Sequence, residues 1–346
     1  MGIVPLHCLV FDRDGMGQFP IHESLSYARI ACDLVGDSQR VDLQRIIFAE
    51  MRHRVQLKLS LGERVVITND LVADEKAQLI GIAKEQGAYV IDGMTDMQPV
   101  ISGLSIDRLR TAYRGITVVG DIHGDAEQLR NALAWARSRQ HFVWLLGDII
   151  DYGKDTLVCA DIAYEAVMYG HAGLSIGNHE RKIARWLDQK QSRLNEGNRV
   201  TIDALQRLQT TDRRCWIGRF RAILAHATLM TQIGDVTLTH AAVHPSLWST
   251  QPEQQSIEQF ALYGQGETNG KYRRVRHWVN AIPKGQMVLV GHDVIAALPL
   301  ILTGTLGGQV VFLDTGCGKG GYLSTADLRF SSDGLRLECF NRFGGT

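Results

Sequence analysis

Four short runs constrain this chain most: Gly120-Asp121-Ile122-His123-Gly124, Gly147-Asp148-Ile149-Ile150-Asp151, Gly177-Asn178-His179-Glu180 and Gly291-His292-Asp293. Each follows an apolar, β-branched stretch, namely 116–119, 142–146, 174–176 and 287–290. Such a pattern delivers polar side chains from the carboxyl ends of several strands into one crevice, where open α/β sheets keep their sites. Together with His240, the runs supply Asp121, His123, Asp148, Asn178, His240 and His292 as a candidate ligand set, with His179 to spare. Oxygen and imidazole donors without thiolate suit Mn, Fe, Zn or Ni. The expectation is a dinuclear hydrolase.

The spacing supports this. Asp121 and His123 are two apart, so an extended segment projects both to one side. Residues 125–140 carry Leu129, Ala132, Leu133 and Ala136 at helical intervals, and 155–170 repeat the pattern with Val158, Ile162, Ala163 and Ala166. Strand, helix, strand, helix, strand predicts parallel pairing, which sets Asp121, Asp148 and Asn178 side by side. Asp148, between the other ligands and with two oxygens, is the expected bridge. A pair of cations roughly 3.5–4 Å apart binds a phosphoryl oxygen and makes water a nucleophile near neutral pH.

Lys plus Arg equals Asp plus Glu at 37 each in 346 residues, so no global field argues for nucleic acid or a membrane. No apolar run approaches the ~20 residues of a membrane span, and no signal core opens the chain. Cysteines 8, 32, 159, 215, 317 and 339 are scattered without a CxxC pair, which predicts cytoplasmic thiols. Before the runs lies a segment with its own alternation. It reads as strands at 6–11, 64–68 and 88–91, and as helices at 24–35, 41–59 and 74–86. The expected division is 1–112 and 113–346.

The second segment resembles the calcineurin-like metallophosphoesterases, which carry GDxHG, GDxxDRG, GNHE, a late His and GH. Within them it is most similar to the phosphatase module of bacterial polynucleotide kinase–phosphatases, the RNA-repair enzymes. That likeness rests on Ala261-Leu262-Tyr263-Gly264, Glu267, Arg276 near Trp278, Gly291-His292 and Leu313-Asp314-Thr315-Gly316-Cys317 with Gly320-Gly321 behind. The resemblance implies an αββα sandwich. It implies Asp121, His123, Asp148, Asn178, His240 and His292 as ligands to two divalent ions, Mn²⁺ first, then Fe, Ni or Zn. It also implies His179, paired with Asp151, as the general acid; a carboxylate beside an imidazole favours its protonated form. One departure stands out. Tyr152 replaces the family's Arg, a neutral phenol where a bidentate guanidinium would bind phosphate. Tyr152, Arg181 and Arg276 are the candidate substrate contacts, with Lys182 and Lys319 also within the motifs' reach.

In those repair enzymes a P-loop kinase precedes the phosphatase, and residues 1–112 resemble a degenerate copy of it. At the P-loop position stands Asp12-Arg13-Asp14-Gly15-Met16-Gly17-Gln18-Phe19, with Gln18 for the Lys and Phe19 for the Ser/Thr. The fold is expected without the kinase activity, serving packing, dimerisation or the holding of a substrate strand. Lys271, Arg273, Arg274 and Arg276, with Tyr272 and Trp278, form one basic stretch with interleaved aromatics, a pattern that suits single-stranded nucleic acid or a solvated face. The leading expectation is hydrolysis of a 2′-, 3′- or 2′,3′-cyclic phosphate on an RNA end or nucleotide. The alternatives are a phosphoprotein or dinucleoside-polyphosphate phosphatase, and a non-catalytic scaffold.

Overall fold

Short β-branched strands alternate with helices, and the chain divides into two compact units: 2–98 with 210–225, and 99–209 with 226–346. The computed structural model describes residues 8–11, 24–25, 43–60, 65–67, 73–86, 89–92, 101–103, 106–168, 170–248, 254–269, 271–332 and 334–344.

The first of these units contains β1 (Cys8–Phe11), β2 (Ser24–Leu25), α1 (Leu43–Ser60), β3 (Val65–Ile67), α2 (Ala73–Glu85) and β4 (Tyr89–Asp92). Its sheet runs β2-β3-β1-β4, every pair parallel. Met51, Val55 and Leu59 recur every four residues on α1 and are buried, as one apolar helical face requires. The helix expected to begin at Ser24 does not begin there. Ser24 and Leu25 pair in parallel with Val66 and Ile67, so strand pairing overrides local helix preference. The degenerate P-loop at 12–19 and the rest of that expected helix lie outside the described residues.

The larger unit holds β5 (Ile101–Gly103), α3 (Ile106–Ala112), β6 (Gly115–Val119), α4 (Ala126–Ser138), β7 (His141–Leu145), α5 (Thr156–Met168), β8 (Ala172–Leu174), α6 (Asn178–Leu187) and α7 (Glu196–Arg207). After α8 (Thr210–His226), which but for its last residue belongs to the first unit, come β9 (Met230–Ile233), β10 (Val236–Thr239), α9 (Gln254–Tyr263), β11 (Gln265–Asn269), β12 (Lys271–Val275), β13 (Met287–Val290), β14 (Leu300–Thr303), β15 (Gln309–Phe312), β16 (Leu323–Ser331) and β17 (Gly334–Phe343). One sheet runs β17-β16-β6-β7-β8 and another β14-β15-β13-β10-β9-β5, with β11-β12 a separate hairpin.

Period-two alternation puts the two large sheets face to face. Ile116 and Val118 of β6, Val236 and Leu238 of β10, Leu289 of β13 and Val311 of β15 share one buried cluster. The alternate residues Val288, Val290, Val310 and Phe312 pack outward, with Ile257 of α9 and with Trp278 and Val279 of the short 3₁₀ turn His277–Ala281. Helix α4 follows the amphipathic pattern read in the sequence, with Leu129, Ala132 and Ala136 buried, whereas α5 buries another face, Cys159, Ala160, Ala163, Tyr164 and Val167, and leaves the expected Val158 exposed. The result is a mixed α/β sandwich of two sheets. Strands β6, β7 and β8 are parallel neighbours, which aligns the loops after them.

Candidate metal centre

The loops after β6, β7 and β13 carry polar residues with unusual backbone. His123, Asp148, Asp151, Tyr152 and His292 all have positive φ, between 47° and 78°. Non-glycine residues adopt this region at a cost of roughly 1–3 kcal/mol and tend to do so at functional sites. Close approach forces glycine beside them: a Cβ on Gly291 would collide with Asp121 Oδ1, and one on Gly177 with Asp148 Oδ1.

The donors converge in two groups that share Asp148. His123, Asp148 and His179 form one; Asp148, His240 and His292 form the other, with donor atoms in each within 4.8 Å. Nε2 of His240 lies 3.1 Å from Asn178 Oδ1 and 3.1 Å from His292 Nδ1, and 3.5 Å from Asp148 Oδ1. Nε2 of His123 lies 3.8 Å from Asp121 Oδ2 and 3.7 Å from Asp148 Oδ2. Asp121 is further fixed by the His292 backbone N–H at 3.0 Å.

Two features test whether these residues fit cations. First, Nδ1 of His240 faces the Leu146 carbonyl at 3.0 Å and Nδ1 of His123 faces the Ile150 carbonyl at 3.1 Å. A ring that donates Nδ1–H outward turns the Nε2 lone pair inward, the usual support for a metal-binding imidazole. Burial keeps the rings neutral: it pushes His123 down to about 3 and also lowers His240 and His292. Second, Asp121, Asp148 and Asp314 are all buried together. Burial, then Asp314 and Asp148, raise the Asp121 carboxyl well above its ordinary range. Crowded buried carboxylates with inward lone pairs call for positive charge. Lys319 already answers it, its ammonium donating to His123 Nε2 at 2.8 Å. The set fits two divalent ions.

His179 is held differently. Its Nδ1–H donates to Asp151 Oδ2 at 2.5 Å, and its Nε2 is 3.9 Å from Asp148 Oδ2. Burial opposes a charge on the ring, but Asp148 and the bonded Asp151 outweigh it and raise the pKa. Asp151 is itself clamped by short bonds from Asn198 Nδ2 and Thr201 Oγ1 of α7. Glu180 accepts backbone N–H bonds from Asp148 (2.8 Å), Ile149 (2.8 Å), Ile150 (3.2 Å) and Gly177 (3.1 Å), fixing the loop that carries the shared ligand. Burial, then Asp148, push its carboxyl up to about 7. Glu180, Asn198, Thr201 and Asp314 carried no role in the sequence reading. Glu180 lies inside a motif and Asp314 inside the DTGC block, whereas Asn198 and Thr201 have no local signal.

The candidate substrate contacts divide. Tyr152 lines a cavity of about 340 Å³ over the cluster, together with Lys182, Arg274 and Lys319. Its ring stands edge-on to His123 at 4.9 Å, with Lys319 Nζ 4.5 Å from its centroid. Arg181 lies on an adjoining cavity and donates to Glu258 at 2.6 Å. Arg276 instead forks onto Asp293 Oδ2 at 3.1 and 2.5 Å, and Arg274 is the residue of that stretch that lines both cavities.

The model of the calcineurin-like phosphoesterase family matches residues 115–296. The chain belongs to that family and is a metal-dependent phosphoesterase. The bis(5′-nucleosyl)-tetraphosphatase (asymmetrical) PrpE of a Geobacillus species is 24% identical over 224 residues, 60% of this chain and 88% of its own length. The protein of that name from Oceanobacillus iheyensis is 23% identical over 225 residues, 60% and 86% of the two lengths. Among solved structures, a serine/threonine phosphatase from Saccharomyces cerevisiae superposes with a TM-score of 0.46 at 13% identity, covering 80% of this chain and 97% of that one. No helix among the described residues is long and apolar enough to cross a membrane.

Proposed function

We propose that this phosphoesterase removes phosphate from nucleic-acid ends or nucleotides at a dinuclear centre, with Mn²⁺ as its first metal. The observation that carries the reading is Asp148 shared by two donor groups, with His179 of the first group held by Asp151. Asp121, His123, Asp148, Asn178, His240 and His292 would hold the ions. Bound there, the ions supply charge for the phosphoryl oxygens and an acidic water for in-line attack. The chain's own residues do the rest. His179, kept protonated by Asp148 and Asp151, gives the Nε2 proton to the departing oxygen. Glu180 keeps the 148–150 loop rigid. Lys319 takes the place of the guanidinium that Tyr152 lacks and binds phosphoryl oxygen as a point charge, while the Tyr152 phenol, which accepts from Asn195 Nδ2 at 3.4 Å, walls the cavity.

The ALYG and DTGC blocks favour the nucleic-acid ends of the repair enzymes; a cyclic phosphate, a monoanion, suits a neutral Tyr152. A second reading, dinucleoside polyphosphates, is favoured by the names of the relatives. Hydrolysis of a chromogenic phosphate monoester with and without Mn²⁺ tests the reaction class. A panel of 2′,3′-cyclic-phosphate RNA ends, phosphopeptides and dinucleoside polyphosphates tests the substrate. Preference for the phosphopeptide would overturn both readings. For the part of 1–112 that lies in the smaller unit, residues 2–98, the proposal is a P-loop-like fold without kinase activity; β5 and α3 belong to the larger unit. The all-parallel order β2-β3-β1-β4 and the missing Lys at 18 support it. Micromolar calorimetric binding of ATP–Mg²⁺ to the Asp121→Asn, His240→Ala protein, in which the metal centre is disabled, would contradict it.

A further inference from the structure

The helix that delivers Asn178 continues past the metal centre with a cationic face. Arg181, Lys182 and Arg185 follow Asn178 by three, four and seven residues on α6, so they share one side of it. At the α-helical rise, Arg185 stands about 10 Å along the axis from Asn178. These three and Arg274 of β12 line a cavity of about 720 Å³, which Tyr263 of α9 closes on one side. The smaller cavity over the ligand cluster shares Asn178, Lys182, Arg274 and His292 with it, so the two adjoin.

The charges in this cavity are only half answered. Arg181 is paired with Glu258 at 2.6 Å and Arg274 with Asp293 at 3.3 Å. Arg185 donates to the neutral Gln191 carbonyl at 2.8 and 3.1 Å. Among the described residues no carboxylate pairs with Lys182 or Arg185. A lone phosphate monoester at the metal centre meets Lys182, which lines both cavities, but leaves Arg185 without a counter-charge. A chain of consecutive phosphates places negative charge every few ångströms, which matches cations a helical turn apart. A nucleic-acid strand separates its phosphates by sugars and would bring fewer charges into the same space.

We propose that this cavity is a distal-phosphate subsite, which holds the phosphates next to the one cleaved in a nucleoside polyphosphate. The assignment rests on the phosphohydrolase reading of the metal centre, takes its second substrate, dinucleoside polyphosphates, over nucleic-acid ends, and adds the residues that hold the rest of the phosphoanhydride chain. Lys182 and Arg185 are the recognising charges, and the Tyr263 ring offers a face to the base or sugar beyond them.

Calorimetric titration of the metal-loaded protein with orthophosphate and with the methylene-bridged analogue of tripolyphosphate, which has no anhydride oxygen to cleave, tests this without turnover. The tripolyphosphate analogue is expected to bind at least ~10-fold tighter than orthophosphate, the value of about one charge-assisted hydrogen bond. Arg185→Glu should erase that preference, and the milder Arg185→Gln should reduce it part-way. In kinetics, Arg185→Gln should lower the ratio of kcat/KM on a dinucleoside tetraphosphate to that on an aryl phosphate, through KM. No preference in the wild-type protein, or a preference untouched by either variant, would overturn the subsite. An equal loss of affinity for a 3′-phosphorylated oligonucleotide would overturn it in favour of a nucleic-acid backbone. Absence of aryl phosphate hydrolysis by the wild-type protein would instead strike the phosphohydrolase reading, which the binding ratio does not measure.

Discussion

Two buried carboxylate regions lie along the same strand, β6, and their surroundings differ. Asp327 of β16 sits opposite Thr117 and is fully supplied with donors: Thr117 Oγ1 at 2.7 Å, Trp135 Nε1 at 2.9 Å and Asn341 Nδ2 at 3.2 Å, with His141 Nδ1 at 3.7 Å. Burial works against its charge, yet His141 and these hydrogen bonds hold it well below the ordinary carboxylate range. Four residues beyond Thr117, Asp121 meets Asp148 and Asp314 and is raised instead. The protein solves one buried carboxylate with its own donors and leaves the other group to be solved by cations. That contrast separates a structural anchor from a reactive centre more clearly than burial does, since Asp121 and Asp327 are both almost wholly buried.

The largest effect should come at the shared ligand. Asp148→Asn is expected to cut turnover of an aryl phosphate by roughly 10³-fold or more while leaving urea stability nearly intact. His179→Ala should cost about 10²–10³-fold with a poor leaving group, and much less with an acidic phenol that departs unprotonated. Its metal content should stay normal; loss of metal would move His179 into the ligand set. Lys319→Ala should raise KM by about tenfold, and adding Tyr152→Arg should recover part of that loss. On the structural side of the comparison, Asp327→Asn should lower stability by about 2 kcal/mol in urea titration with the metals retained. Because the folded Asp327 pKa is depressed, its contribution is complete above the unfolded value of about 4 and fades as pH falls below it. A wild-type stability that improves on acidification through that window would contradict the anchor.

Much of this was legible in the sequence for a simple reason. Asp121, Asp148 and Asn178 stand two to four residues past the ends of β6, β7 and β8, so local pattern fixes where they stand, and the parallel strands then align them. What escaped the sequence acts across distance. Asn198 and Thr201 reach Asp151 from 47 and 50 residues away on a helix that carries no motif. Glu180 was visible in its run, but its work, satisfying four backbone N–H groups, depends on a loop folded back over it. Ser24 and Leu25 look helical until β3 is there to pair with them. Lys319 reads in sequence as a surface residue within reach of phosphate, but its contact with His123 comes from the closed 316–321 turn.

The central claim is that the crowded carboxylates and inward imidazole lone pairs form one two-cation centre bridged by Asp148. Metal stoichiometry tests it most directly, by elemental analysis of protein equilibrated with Mn²⁺ and freed of excess. Two ions per chain are expected for the wild type, with both sites weakened together in Asp148→Asn. A wild-type chain that retains no ion, or an Asp148→Asn chain that keeps two at unchanged affinity, would contradict the account.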